Sequence, residues 1–125
     1  MYQLFLVCLG GALGAGLRHL SVSAAGRAFG LAFPWGTLAV NIAGSFIMGL
    51  FIEALARRLG ASQEVRLFVA TGILGGFTTF SAFSLDVAIL WERGALAPAA
   101  AYVAASVAGA ILALFAGLWL ARSVL

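Results

Sequence analysis

The chain has 125 residues, of which 64% are hydrophobic and 9% charged, and its formal net charge is +3. Soluble domains carry roughly 25% charged residues, and a chain this short has too little interior to hide so much apolar surface from water. The composition therefore excludes a soluble domain and makes the bilayer the solvent. All the positive charge is arginine, scattered between apolar runs. No basic stripe forms, so the pI near 10 does not point to nucleic acid.

A span needs about 20 mainly apolar residues. Four such segments are predicted, at 4–22, 35–55, 66–91 and 98–121, within a single transmembrane domain covering 1–125. The first begins after "MYQ", which carries no positive charge. No small-residue cleavage motif follows a short apolar core, so the segment reads as a retained helix rather than a cleaved signal. Gly10, Gly14 and Arg18 recur at i, i+4. The two glycines form a close-packing face, while Arg18 stands near the mouth, where it snorkels outward or draws anions into a vestibule. His19 lacks a second ligand and reads as interfacial. Cys8 has no partner for an intrachain disulfide and reads as a small apolar filler.

The second segment starts after Pro34 and carries Thr37, Asn41 and Ser45 on one helix face. Two readings stand for them: hydrogen-bonding glue between helices, or the wall of a polar pathway. Asn41 offers two donors and two acceptor lone pairs, more than a single helix contact consumes.

The third segment contains "GILGGFTTFSAFS" at 72–84, where seven of thirteen residues are Gly, Ser or Thr. Gly72 and Gly76 form a close-approach face. Adjacent glycines and two β-branched threonines have low helix propensity, so an interruption of the helix is expected there. The alternative is a continuous but flexible helix. A break frees backbone groups, and such groups survive in a membrane only when buried in protein or lining a cavity. Phe80 and Phe83 share a face that Thr79, Ser81 and Ser84 interleave. Rings packed against lipid alone fit this mixture poorly. Positive ring edges could instead contact an anion.

The fourth segment has a small-residue face at Gly109, Ala113 and Gly117. Tyr102 and Ser106 are i, i+4 neighbours, and Tyr102 fits either an interfacial belt or an inward position. Trp35, Trp91 and Trp119 fall near segment ends, where interfacial aromatics belong. With four spans, one side of the membrane holds Arg57, Arg58, Arg66 and Arg122. The other holds Arg18, Arg27 and Arg93. So weak a bias is compatible with insertion in both orientations and an antiparallel dimer, or with one orientation set by a small charge difference.

The chain resembles the Fluc (CrcB) fluoride channels of bacteria. The stretches that carry the likeness are "GGALGAGLRHL" at 10–20, "WGTLAVNIAGS" at 35–45, "GGFTTFSAFS" at 75–84 and the "AAAYVAAS" context of Tyr102. The resemblance implies an all-α membrane protein in the bacterial inner membrane, with a broken third helix. It also implies a dual-topology antiparallel homodimer with two pores that passes fluoride passively out of the cytoplasm. It places a central sodium ion on the backbone carbonyls of Gly75 and Thr78, and the pathway along Asn41, Phe80, Phe83, Ser81, Thr37 and Tyr102, with Arg18 at the vestibule. Its partners would be fluoride, a second copy and membrane lipid. Two departures stand out: Ala82 where relatives often carry Thr, and Asp86 where Glu is common.

The main rival is a four-helix proton-coupled multidrug-type transporter. It needs a membrane-embedded carboxylate, and the central regions of the first three segments have none. An accessory membrane subunit without transport fits the polar faces less well. No set of nucleophile, base and orienting residue suggests an enzyme.

Overall fold

The computed structural model describes residues 1–60 and 62–125, and every secondary-structure element among them is helical. Four helical segments are long and apolar enough to cross a membrane: Tyr2–Phe29, Trp35–Arg58, Gln63–Glu92 and Leu96–Val124. The protein is a multi-pass membrane protein.

Helix α1 (Tyr2–Phe29) continues beyond the predicted end at residue 22. Arg27 sits in its last turn, where a cation favours the negative end of the helix dipole. Gly30 then ends it at φ +83, and Gly94 closes the third segment in the same way at φ +75. Helix α2 (Trp35–Ala54) starts directly after Pro34 and passes into a π-helical turn, Leu55–Leu59. The third segment is assembled from pieces. A short α3 (Gln63–Val65) leads into a π-helical stretch, Arg66–Leu74. Next come α4 (Gly75–Phe77), two residues in extended backbone, and α5 (Phe80–Glu92). Helix α6 (Leu96–Val124) completes the fold.

Small residues decide how the helices meet. α1 lies on the third segment through its glycine face. A methyl group on Gly72 would sit 2.9 Å from Gly10 Cα, and one on Gly76 would sit 2.6 Å from Gly11 O. α2 lies on α6 the same way, since a methyl group on Gly117 would sit 2.9 Å from Leu50 N. In lipid the hydrophobic effect does not draw helices together, so this backbone-to-backbone packing is the main cohesive force. Large side chains turn outward to match: Phe5, Leu20, Leu112, Phe115 and Trp119 are exposed, as hydrocarbon-facing residues should be. Cys8, expected as a filler, is exposed on α1, off the glycine face that packs inward.

Salt bridges appear at one end of the bundle. Glu53 accepts from Arg57 at 2.6 Å and from Arg122 at 3.0 Å, tying the end of α2 to α6. Both arginines are exposed, so each pair contributes on the order of 0–1 kcal/mol.

Candidate functional site: a two-residue interruption and its braces

Thr78 (φ −91, ψ 159) and Thr79 (φ −154, ψ 121) are extended, between α4 and α5. This leaves backbone groups without helical partners at membrane depth, where each unpaired group is costly. Several are met by specific side chains. Asn41 Nδ2 donates to the Thr79 carbonyl at 3.0 Å, and the Thr79 amide donates back to Asn41 Oδ1 at 2.8 Å. The asparagine amide thus acts as a single residue of a neighbouring strand. Thr79 Oγ1 caps α5 by accepting from the Ala82 amide at 3.1 Å. The Thr78 hydroxyl and amide both donate to the Leu74 carbonyl, each at 3.0 Å. Arg18 Nε donates to the Gly76 carbonyl at 3.1 Å. Neither Gly75 O nor Thr78 O accepts a hydrogen bond from the described residues. Gly75 is also exposed, although a methyl group on it would touch the Ala70 carbonyl oxygen at 3.5 Å.

Clefts flank the interruption. One of about 310 Å³ is lined by Asn41, Ser45, Thr78, Thr79, Phe80, Phe83 and Ser106, with three apolar residues of α6. A second, of about 260 Å³, is lined by Arg18, His19, Thr37, Thr79 and Ala82 among others. A third, of about 160 Å³, contains Thr37 again together with Asp86. Thr79 belongs to the first two and Thr37 to the last two, so polar groups run in a file past the interruption. The Ser106 hydroxyl is buried with no hydrogen-bond partner among the described residues.

The aromatic residues divide. Phe83 is buried, while Phe80 is 77% exposed, although their ring centroids lie only 5.4 Å apart. Phe83 packs 5.2 Å from Tyr102, which meets Phe33 edge-on at 5.5 Å. Tyr102 points inward and is fully buried; its hydroxyl donates to Asp86 Oδ2 at 2.9 Å. This settles the two positions open to Tyr102 in favour of the interior. Tyr102→Phe leaves a partly buried carboxylate without that donor. It should destabilise the protein by about 1–3 kcal/mol, seen as a lower unfolding temperature in detergent.

Of the residues singled out from sequence, Asn41, Phe80 and Phe83 share one cleft, and Arg18 and Thr37 share the next. Ser81 is exposed and lines none of these clefts; its hydroxyl lies 3.4 Å from Thr79 Oγ1. Three participants were not singled out as site residues. Thr79 is the hub of the braces, Asp86 is the partner of Tyr102, and Ser106 lines the main cleft. Asp86 carried one signal, as the only acid within 66–91. Among the described residues no cluster of three His, Cys, Asp or Glu side chains is placed to hold a metal.

The profile of the family described as CrcB-like protein, Camphor Resistance (CrcB), matches residues 5–118. The chain belongs to this family. Close relatives bear the name fluoride-specific ion channel FluC. One from Chelativorans sp. (strain BNC1) is 75% identical over 125 residues, the whole of both chains. Others are from Mesorhizobium japonicum, 68% identical, and Agrobacterium fabrum, 56% identical, each over 123 residues and 98% of both chains. The 5–118 match reaches into all four apolar segments and takes in every brace of the interruption, together with Tyr102 and Asp86.

Proposed function

We propose that the chain forms a fluoride-selective channel that lets fluoride leave the cytoplasm passively through the bacterial inner membrane. It acts as a channel and not as an enzyme. The observation that carries this reading is the interruption at Thr78–Thr79, braced by Asn41 and flanked by clefts lined with hydroxyls and the Phe80 and Phe83 rings. The names borne by the family's close relatives support it.

Burying a carboxylate-sized anion in a low-dielectric medium costs on the order of 20 kcal/mol in the idealised case, and fluoride is smaller still. Repayment has to be spread over many weak donors, which suits passage rather than capture. The spare N–H of Asn41, the hydroxyls of Thr37, Thr79, Ser81 and Ser106, and the edges of Phe80 and Phe83 are such donors, while Tyr102, whose hydroxyl hydrogen goes to Asp86, borders the pathway through its ring. Arg18 supplies the one full positive charge at the entrance.

The third segment works as a broken helix, and the functional unit is an antiparallel dual-topology homodimer with two pores. A sodium ion fits its centre. The carbonyls of Gly75 and Thr78 accept no hydrogen bond from the described residues, and Gly75 is exposed. These carbonyls would hold the ion, which supplies a fixed positive charge between the pores.

The test is efflux from liposomes. Purified protein in fluoride-loaded vesicles should release fluoride on addition of a potassium ionophore, and chloride-loaded vesicles should stay nearly full. Absence of fluoride release rejects the channel reading, and proton-coupled cation flux would favour a transporter.

A further inference from the structure

The cleft of about 260 Å³ beside the interruption is lined on its α1 side by Ala15, Arg18, His19 and Val22. These stand at i, i+3, i+4 and i+7, one face of a helix. The face brings His19 to the cleft, although the sequence alone marks it as interfacial. Side chains on a helix lean toward its N-terminus, so the His19 ring leans toward Ala15. Ala15 lies against α4: a methyl group on Gly76 would sit 3.2 Å from Ala15 N. The other walls are Thr37, Thr79 and the methyl group of Ala82. Thr79 also lines the main cleft, and Thr37 the one that contains Asp86. The cleft is therefore the junction in the file of polar groups. Of its side chains, histidine is the one type that changes charge near neutral pH, since arginine stays protonated. His19 is exposed, and no hydrogen bond among the described residues engages its ring.

We infer that His19 is a further pathway residue at this junction, and that a proton on its ring strengthens the cleft's hold on fluoride. This rests on the channel reading above. A neutral imidazole offers an anion one N–H and keeps a lone pair on its other nitrogen; the protonated ring offers two donors and a full charge. A unit charge about 6 Å away across water is worth about threefold in anion occupancy. Few charged or titratable groups stand around it. Arg18 is beside it on α1, and Arg27 lies about two turns further along. The acid of α2, Glu53, is held by Arg57 and Arg122 at the other end of the bundle. The third segment brings Asp86 in the adjoining cleft, where it accepts from Tyr102 of α6 at 2.9 Å. Arg93, which ends that segment, donates to the Ala32 carbonyl at 2.7 Å. Asp86 is thus the competing source of a pH response.

The experiment measures efflux against internal fluoride for wild type, His19→Gln and His19→Arg in liposomes, with the same pH on both sides, at about pH 5.5 and pH 7.5. Protein-free vesicles subtract the leak of neutral hydrogen fluoride. In wild type the half-saturating fluoride concentration should fall about threefold at the lower pH. His19→Gln, which hydrogen-bonds but does not titrate, should remove that response. His19→Arg, with a fixed charge, should remove it too and hold the concentration at the low value. A wild type without the response would overturn the inference. So would a His19→Gln that keeps it, which would assign the response to Asp86. Should the variants fail to fold, wild-type protein with ¹⁵N-labelled histidine decides, because His19 is the chain's single histidine. At fixed pH, added fluoride should raise the protonated fraction of the ring, since the coupling between proton and anion is reciprocal. An unmoved fraction overturns the inference. Wild type that carries no fluoride rejects the channel reading, and the ¹⁵N titration with fluoride then judges anion binding at His19 independently.

Discussion

Asn41→Asp should reduce fluoride efflux by about two orders of magnitude while leaving the helical content intact. The substitution keeps the shape and the acceptor for the Thr79 amide but removes the N–H that the Thr79 carbonyl takes at 3.0 Å. The carbonyl is then unpaired and faces a second oxygen. If the new carboxyl ionises, it also places a negative charge beside the pathway, and a charge at membrane depth costs about 2.5–3.5 kcal/mol on insertion scales. A loss of about 3 kcal/mol corresponds to roughly a hundredfold. Asn41→Leu separates the two contributions: it removes both hydrogen bonds without adding charge. It should also lose efflux, with a larger drop in unfolding temperature. Efflux at the wild-type level in both variants would mean that the brace is not needed for conduction.

Phe80→Ala and Phe83→Ala should part company in stability although both lose conduction. Phe83 is buried against Tyr102, and truncating a buried Phe costs about 3–5 kcal/mol. Phe80 is exposed in the chain, and exposed substitutions usually stay within about 0.5 kcal/mol. Thermal unfolding in detergent should therefore separate the two by several degrees or more, while vesicle efflux falls at least tenfold in each. Phe80→Ala with full efflux would take its ring out of the pathway. Phe83→Ala with wild-type stability would contradict its burial.

The four apolar segments were legible because uncharged runs such as 28–52 and 67–85 have the length a bilayer demands. The glycine faces were legible too, since i, i+4 spacing of Gly10–Gly14 and Gly72–Gly76 reads directly as a face. What met those faces was not. Asn41 and Thr79 are 38 residues apart, Arg18 and Gly76 are 58 apart, and no local pattern joins them. The amide capacity of Asn41 was visible, but its use as a backbone substitute depends on where α2 crosses the third segment. The Tyr102–Asp86 pair was hidden because each residue had a plausible separate role, one in an aromatic belt and one near a segment end. The extension of α1 to Phe29 escaped because helices can run beyond their apolar core into the interface, where hydropathy no longer marks them.

The order of the braces along the chain bears on how the protein is made. Arg18 lies in the first apolar segment and Asn41 in the second, so both are synthesised before Gly76 and Thr79. When the third segment enters the bilayer, its capping groups are already in place in the preceding helices. The awkward stretch need never wait in lipid with its peptide groups bare. A circular permutant beginning at the third segment would reverse that order. It would expose the interruption to hydrocarbon before any partner had arrived.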